Sequence, residues 1–278
     1  MKKLLIDGDL VAFRCAASAE NESEEIAVAR LVESMQRIFE DLGSTDYTVF
    51  LTGPDNFRKE ICPDYKANRT KPKPRHLGTC CDFLIENFGA ILCSGHEADD
   101  ALGYTQTPDT IIVSYDKDLR QIAGQHYDFT KGEMTTIVEK RGLRTFYEQM
   151  LIGDKGDNVV GVAGIGKAKA PRILEGCETE EEMFDTVREL YNDDVRFLRN
   201  GQLLWIWKTK GGIWNPPFIS KLDIATAPSE ETMSEFTLET EEENTHYTGH
   251  TMTNTTSSGS PANGPLMDST SMKNAQDQ

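Results

Sequence analysis

Apolar residues along this chain come in two rhythms. Short, nearly unbroken runs over Lys2 to Ile6, Tyr47 to Thr52, Ala90 to Cys93 and Thr110 to Ser114 predict buried strands. Between and after them the spacing turns helical. Ile26, Leu31, Met35, Ile38, Phe39 and Leu42 stripe one face of a segment that Ser23 would cap and Gly43 would stop. Leu77 to Phe88, Arg141 to Leu151 and Glu180 to Leu198 predict further helices, and Gln202 to Trp207 an aromatic strand or short helix. Strands alternating with helices predict an α/β fold with a central, mainly parallel sheet. In such sheets ligands gather beyond the carboxyl ends of the strands.

Acidic residues fall at that edge. The first strand runs into Asp7 and Asp9, and the run from Thr110 into Asp116 and Asp118. Glu97, Asp99 and Asp100 follow the strand at 90–93, and Asp154 with Asp157 follows the helix from Arg141. Glu97 and Asp100, three apart, share a face at the start of a helix. Asp116 and Asp118 point to one side of an extended chain. A single acid after a strand serves equally well as a helix cap. Four clusters at strand ends favour two Mg²⁺ or Mn²⁺ ions, since hard cations take carboxylate oxygens. Roughly 4 Å apart, such ions activate water and stabilise the leaving oxygen of a phosphodiester.

Composition narrows the setting. No apolar run approaches the roughly 20 residues of a membrane span, and the first acid comes too early for a signal peptide. A soluble, cytoplasmic protein is expected, with its six cysteines reduced. Cys93 and His96 lack two further ligands for zinc. The net charge of −17 is uneven. Residues 226–278 hold nine Asp/Glu and one Lys, or −8, which leaves −9 for the rest. That tail, too poor in apolar residues to offset its ordering entropy, is expected to be disordered.

Two basic segments stand out. Arg58 to Arg75 carries seven Lys/Arg against Glu60 and Asp64, and includes Tyr65-Lys66-Ala-Asn-Arg69. Lys66 and Arg69 suit phosphates, and Tyr65 suits stacking on a base. By itself the run reads equally as a solvated loop. Gly161-Val-Ala-Gly164-Ile-Gly166, followed by Lys167 and Lys169, resembles a helix–hairpin–helix whose glycines let backbone amides approach a phosphate.

Together these motifs resemble the 5′-nuclease superfamily: flap endonucleases, the 5′-nuclease domain of bacterial DNA polymerases and bacteriophage 5′–3′ exonucleases, with the compact phage enzymes most alike. The carriers are Leu5-Ile-Asp7-Gly8, Phe57-Arg58 with Tyr65-Lys66-Ala-Asn-Arg69, Gly95-His-Glu97-Ala-Asp99-Asp100, Ser114-Tyr-Asp116-Lys117-Asp118, and Gly153-Asp154 with Asp157-Asn158 running on to Gly164-Ile-Gly166. The resemblance implies a PIN-like catalytic domain over 1–138, a helix–hairpin–helix region over 139–225 that completes the acidic site, and the tail over 226–278. It implies that Asp7, Glu97 and Asp99 or Asp100 serve one metal, and Asp116, Asp118, Asp154 and Asp157 the second. Lys66 and Arg69 would contact the scissile phosphate, with Asp7 and Asp116 central to catalysis, and Tyr65 the terminal base. Gly164, Gly166, Lys167 and Lys169 would hold the duplex, with room for a K⁺ ion in the hairpin.

The implied substrate is DNA with a free 5′ end or 5′ flap, with RNA–DNA hybrids as a further substrate and a replication protein as a partner for the acidic tail. One departure stands out. Such enzymes carry another metal-directed aspartate at the end of the second strand, near Leu51 to Gly53. Here the stretch reads Val49-Phe-Leu-Thr-Gly-Pro-Asp55, leaving Asp55 to substitute or one metal held weakly. A structure-selective DNA-binding protein impaired in catalysis is therefore the rival reading. A haloacid-dehalogenase-type phosphatase, suggested by Asp7-Gly-Asp9-Leu-Val11, leaves the other motifs unexplained.

Overall fold

A computed structural model describes residues 2–224, so the acidic tail and everything expected of it lie outside the described residues. Six strands share one sheet: β1 (Lys3–Asp7), β2 (Tyr47–Thr52), β3 (Ile91–Cys93), β4 (Thr110–Val113), β5 (Gly124–Asp128) and β6 (Glu133–Ile137). Their spatial order is β3-β2-β1-β4-β5-β6. Neighbours are parallel except β5 and β6, which form an antiparallel hairpin at one edge. The mainly parallel α/β sheet expected from the sequence is the one that forms.

Side chains alternate across it. Leu4, Ile6, Val49, Leu51, Ile111 and Val113 enter one core, while Leu5, Phe50 and Ile112 enter another. Burial on both faces is why these strands read as unbroken apolar runs. The helices are α1 (Gly8–Ser18), α2 (Glu24–Leu42), α3 (Phe57–Ile61), α4 (Leu77–Phe88) and α5 (Ala98–Thr105), then α6 (Glu139–Ile152), α7 (Ala170–Ile173), α8 (Glu180–Tyr191) and α9 (Asp194–Leu204). The first core is shared with α1, α2 and α4, and the second with α5. Helix α2 starts after Ser23 and stops at Gly43, whose left-handed φ of 59° closes its C-terminus.

Beyond β6, helices α6, α8 and α9 enclose a third core of Phe146, Tyr147, Met150, Phe184, Phe197 and Trp214. A two-strand ladder, β7 (Gly153–Asp154) with β8 (Val159–Val160), and the glycine turn at 161–166 connect α6 to the one-turn α7. The single helix expected over 180–198 is two. Asn192 turns left-handed at φ 48°, and the Asp193 side chain then caps α9 by accepting the Arg196 N–H at 2.9 Å. Helix α9 consequently runs to Leu204, so Gln202 is helical and the chain extends only from Trp205. Among the described residues no helix is long and apolar enough to cross a membrane.

Candidate active site

Where β1 meets α1, Asp7 is both strand end and helix cap. Its Oδ1 accepts the Leu10 N–H at 3.1 Å and its Oδ2 accepts the Ser114 hydroxyl at 2.8 Å. Ser114, just past β4, also accepts the Asp116 N–H at 3.0 Å, and Asp116 accepts the Asp118 N–H at 2.8 Å. The ends of β1 and β4 are thereby bonded together through side chains. Asp118 in turn accepts the Gln149 amide of α6.

At the start of α5, Glu97 accepts the Asn56 amide at 2.8 Å, the Tyr65 hydroxyl at 3.2 Å and the Lys66 ammonium. Asp157 accepts the same Tyr65 hydroxyl at 2.7 Å and the Arg69 guanidinium, with Lys66 Nζ 3.7 Å away. Asp154 accepts the Gly156 N–H at 2.6 Å and the Asp157 N–H at 3.2 Å, folding that loop around its carboxylate. The basic loop lies against this acidic one. Lys66, at a left-handed φ of 60°, donates its N–H to the Asp157 carbonyl at 3.0 Å, and Arg69 Nε donates to the Gly156 carbonyl at 3.0 Å.

Electrically the edge is short of positive charge. Burial, followed by the charge of Asp9, pushes Asp7 up to about 7. Burial, then Asp116 and Asp154, does the same to Asp118, also up to about 7. Asp99 is raised well above the carboxylate range by burial and then by Asp7 and Asp116. Asp116 is raised chiefly by burial. Like charges this close resist joint ionisation. Crowded, hard oxygen donors lacking counter-charge fit divalent cations such as Mg²⁺ or Mn²⁺. Among the described residues no three such groups are already drawn into a closed cage. Lys66 instead bridges Glu97 and Asp157 across the gap.

Two expected site residues have other duties. Asp100 is fully buried in a bidentate pair with Arg58, at 2.6 and 2.8 Å. It also accepts the backbone N–H groups of Glu97 and Trp207, both at 3.1 Å, so it organises the site without presenting a carboxylate to a metal. Tyr65 is 4% exposed, with its hydroxyl on Glu97 and Asp157, and a ring so enclosed offers no face to a base. Asp55 is exposed just past the bend at Pro54 and does not fill the place of a second-strand acid. Gly164, Gly166, Lys167 and Lys169 are exposed on the turn that leads into α7.

Several contributors carried no signal of their own in the sequence. Asn56 and Gln149 each orient an acid through one hydrogen bond across the fold, as does Ser114, which was visible only within a motif. Arg58 was visible only as part of a motif. Its guanidinium, 2% exposed, also donates to the carbonyls of Leu203 at 2.9 Å and Trp205 at 2.6 Å, stapling the end of α9 to the start of α5.

The chain can now be set beside known proteins. The family model described as "5'-3' exonuclease, N-terminal resolvase-like domain" matches residues 2–150, just over half of the chain. DNA polymerase I of Bacillus caldotenax is 30% identical over 227 residues, covering 70% of this chain and 26% of that protein. Flap endonuclease Xni of Shewanella sp. (strain W3-18-1) is 26% identical over 222 residues, covering 72% of this chain and 84% of that protein. The chain thus spans about a quarter of the polymerase and most of the flap endonuclease. In fold it resembles the bacteriophage T5 D15 protein co-crystallised with metal ions, with a TM-score of 0.60 at 19% identity over 73% of this chain and 89% of that one. The T5 D15 flap endonuclease in a pseudo-enzyme-product complex with DNA and metal ions matches equally, at TM-score 0.60 and 19% identity, covering 73% and 89% of the two chains.

Proposed function

The chain belongs to the 5′–3′ exonuclease family by its N-terminal resolvase-like domain, and from that premise we propose that it hydrolyses DNA phosphodiesters at free 5′ ends and 5′ flaps with two Mg²⁺ or Mn²⁺ ions. The observation carrying this reading is the edge of crowded carboxylates, Asp7, Asp99, Asp116 and Asp118, which burial and one another push up while Lys66, Arg69 and Arg58 pair with Glu97 and Asp157 beside them. Asp7, Glu97 and Asp99 would hold one ion, and Asp116, Asp118, Asp154 and Asp157 the other. Metal ions at those residues would supply an activated water and offset charge on the leaving oxygen.

The chain's own groups do the rest. Ser114 fixes the Asp7 carboxylate by donating to Oδ2, and Gln149 fixes Asp118. Lys66 and Arg69, which pair with Glu97 and Asp157, would contact the scissile phosphate and stabilise its developing negative charge. The turn carrying Gly164, Gly166, Lys167 and Lys169 would bind duplex backbone and could hold a K⁺ ion. The regions at 1–138 and 139–225 divide this labour, and an RNA strand in an RNA–DNA hybrid is a second substrate.

The test is cleavage of an internally labelled 5′-flap duplex in Mg²⁺, Mn²⁺ or EDTA, wild type beside Asp116→Ala, with a hybrid duplex in parallel. Metal-dependent products that fall by about 10²-fold or more in the variant support the reading. A folded protein that binds the flap but cuts it under no metal favours the rival, an impaired DNA-binding protein. The specific ground for that rival is Thr52-Gly53 at the end of β2, where no carboxylate projects from the strand itself.

A further inference from the structure

The end of β2 lacks an acid for a steric reason as well as a chemical one. A Cβ at Gly53 would stand 2.0 Å from the Cys93 carbonyl oxygen of β3, so no aspartate fits there on this backbone. The Thr52 hydroxyl is committed to the start of α5, accepting the Ala98 N–H at 2.9 Å. Asp55 is exposed. A carboxylate nevertheless reaches this point from the neighbouring element. Asp9, in the first turn of α1, accepts the Thr52 N–H with both oxygens, at 3.2 and 3.1 Å.

That placement puts Asp9 at the same gap as the other acids. Asp9 sits two residues past Asp7 in the first turn of α1, and its carboxylate meets the end of β2 where Thr52 touches the residue next to Glu97. Through Thr52 it is also linked to the helix that carries Glu97 and Asp99. A plain structural duty is available, since its carboxylate continues the β1–β2 ladder after β1 ends at Asp7. The Thr52 N–H and hydroxyl together still leave part of the carboxylate's acceptor capacity unused, however.

Building on the nuclease reading, we infer that Asp9 supplies from α1 the cation-holding carboxylate that β2 does not carry. The site then has its second-strand charge, delivered by a different element.

The ladder duty and the cation duty separate in Asp9→Asn, whose amide oxygen still accepts the Thr52 N–H while the charge is gone. Mn²⁺ binding to the full chain, followed by calorimetry and by the electron paramagnetic resonance of free Mn²⁺, is measured without DNA. Melting in EDTA and flap cleavage against Mn²⁺ concentration are run alongside. The expected result is a melting temperature near wild type, Mn²⁺ affinity lower by about 10- to 100-fold, and cleavage that recovers at high Mn²⁺. Unchanged Mn²⁺ affinity in Asp9→Asn, with stability lost only in Asp9→Ala, would overturn the inference and leave the ladder duty alone. Should Asp9→Asn not fold, Asp9→Ser is judged by the same two criteria. A wild type that binds no Mn²⁺ and cuts nothing overturns the nuclease reading and this inference together. A wild type that cuts, beside an indistinguishable Asp9→Asn, overturns the inference alone.

Discussion

Asp99 and Asp100 are consecutive, share the start of α5, and live in opposite electrical surroundings. Asp100 sits in a bidentate pair with Arg58, and burial that would pull the arginine down is outweighed by Asp100 itself, leaving Arg58 raised and charged. Asp99 meets Asp7, Asp116 and Glu97 instead, and is pushed up by burial and by each of them. One region of the molecule is thus neutralised internally, and the other is left to be neutralised from outside. On the proposed reading, charge left without an internal partner marks the functional edge. The paired region supplies the rigidity that lets the unpaired acids stay together.

The largest effect separating the two should come from breaking the staple. Arg58→Met leaves Asp100 buried without its partner, which costs about 3–5 kcal/mol. It also frees the Leu203 and Trp205 carbonyls. Chemical denaturation in EDTA checks this, and a loss under about 1 kcal/mol, the range of exposed ion pairs, would show that Arg58 is no staple. The opposite sign is expected across the gap. Asp7→Asn removes a repelled charge, so the metal-free protein should gain on the order of 2 kcal/mol near neutral pH while flap cleavage collapses. A destabilised, active Asp7→Asn would contradict the contrast between the regions.

The pH dependence follows from the same imbalance. Asp7 and Asp118 titrate in the folded chain near about 7, against about 4 when unfolded. Between those values the folded state binds more protons than the unfolded one, so their contribution to stability falls as pH rises through the window. Melting of the EDTA-treated protein should therefore rise on moving from about pH 7.5 to about pH 5, and less so in Asp7→Asn. Mn²⁺ should stabilise the chain more at the higher pH, where the carboxylates are ionised. A wild type with the same pH slope as Asp7→Asn would remove Asp7 as the source.

How far the sequence foretold this arrangement depends on the range of the interaction. The strands were legible because Leu4 to Ile6, Val49 to Leu51 and Ile111 to Val113 are buried on both faces, and the acids because they follow those runs directly. Helix α1 was not legible as a helix. Its residues are largely apolar with little polar face, and the acids at its start drew the reading toward a motif. Nor was the β5–β6 hairpin, since β6 is an edge strand exposed at four of its five positions. The different fates of Asp99 and Asp100 had no local sign at all. They turn on Arg58, 42 residues away in the chain and embedded in a basic run that reads as solvated. Asp9 lies at the same limit, because its partner Thr52 is 43 residues distant.

The smallest expected effect concerns Tyr65, whose ring packs in the third core while its hydroxyl meets Glu97 and Asp157. Its hydroxyl donates toward both Glu97 and Asp157, and burial followed by the charge of Glu97 raises its pKa, so it remains a donor at any working pH. Tyr65→Phe keeps the ring and removes only that donor, which should cost about 1–2 kcal/mol in the metal-free protein. The loss should shrink once Mn²⁺ is present, because cations then take over the two carboxylates. If the ring served by stacking on a terminal base, Phe would serve nearly as well, and KM for a flap would stay at its wild-type value while Tyr65→Leu raised it. If the hydroxyl spaces Glu97 and Asp157 for the ions, Tyr65→Phe should raise the Mn²⁺ concentration needed for half-maximal cleavage and leave DNA affinity in EDTA unchanged. Measuring both quantities on Phe and Leu variants decides between a residue that meets the substrate and one that holds the acids apart.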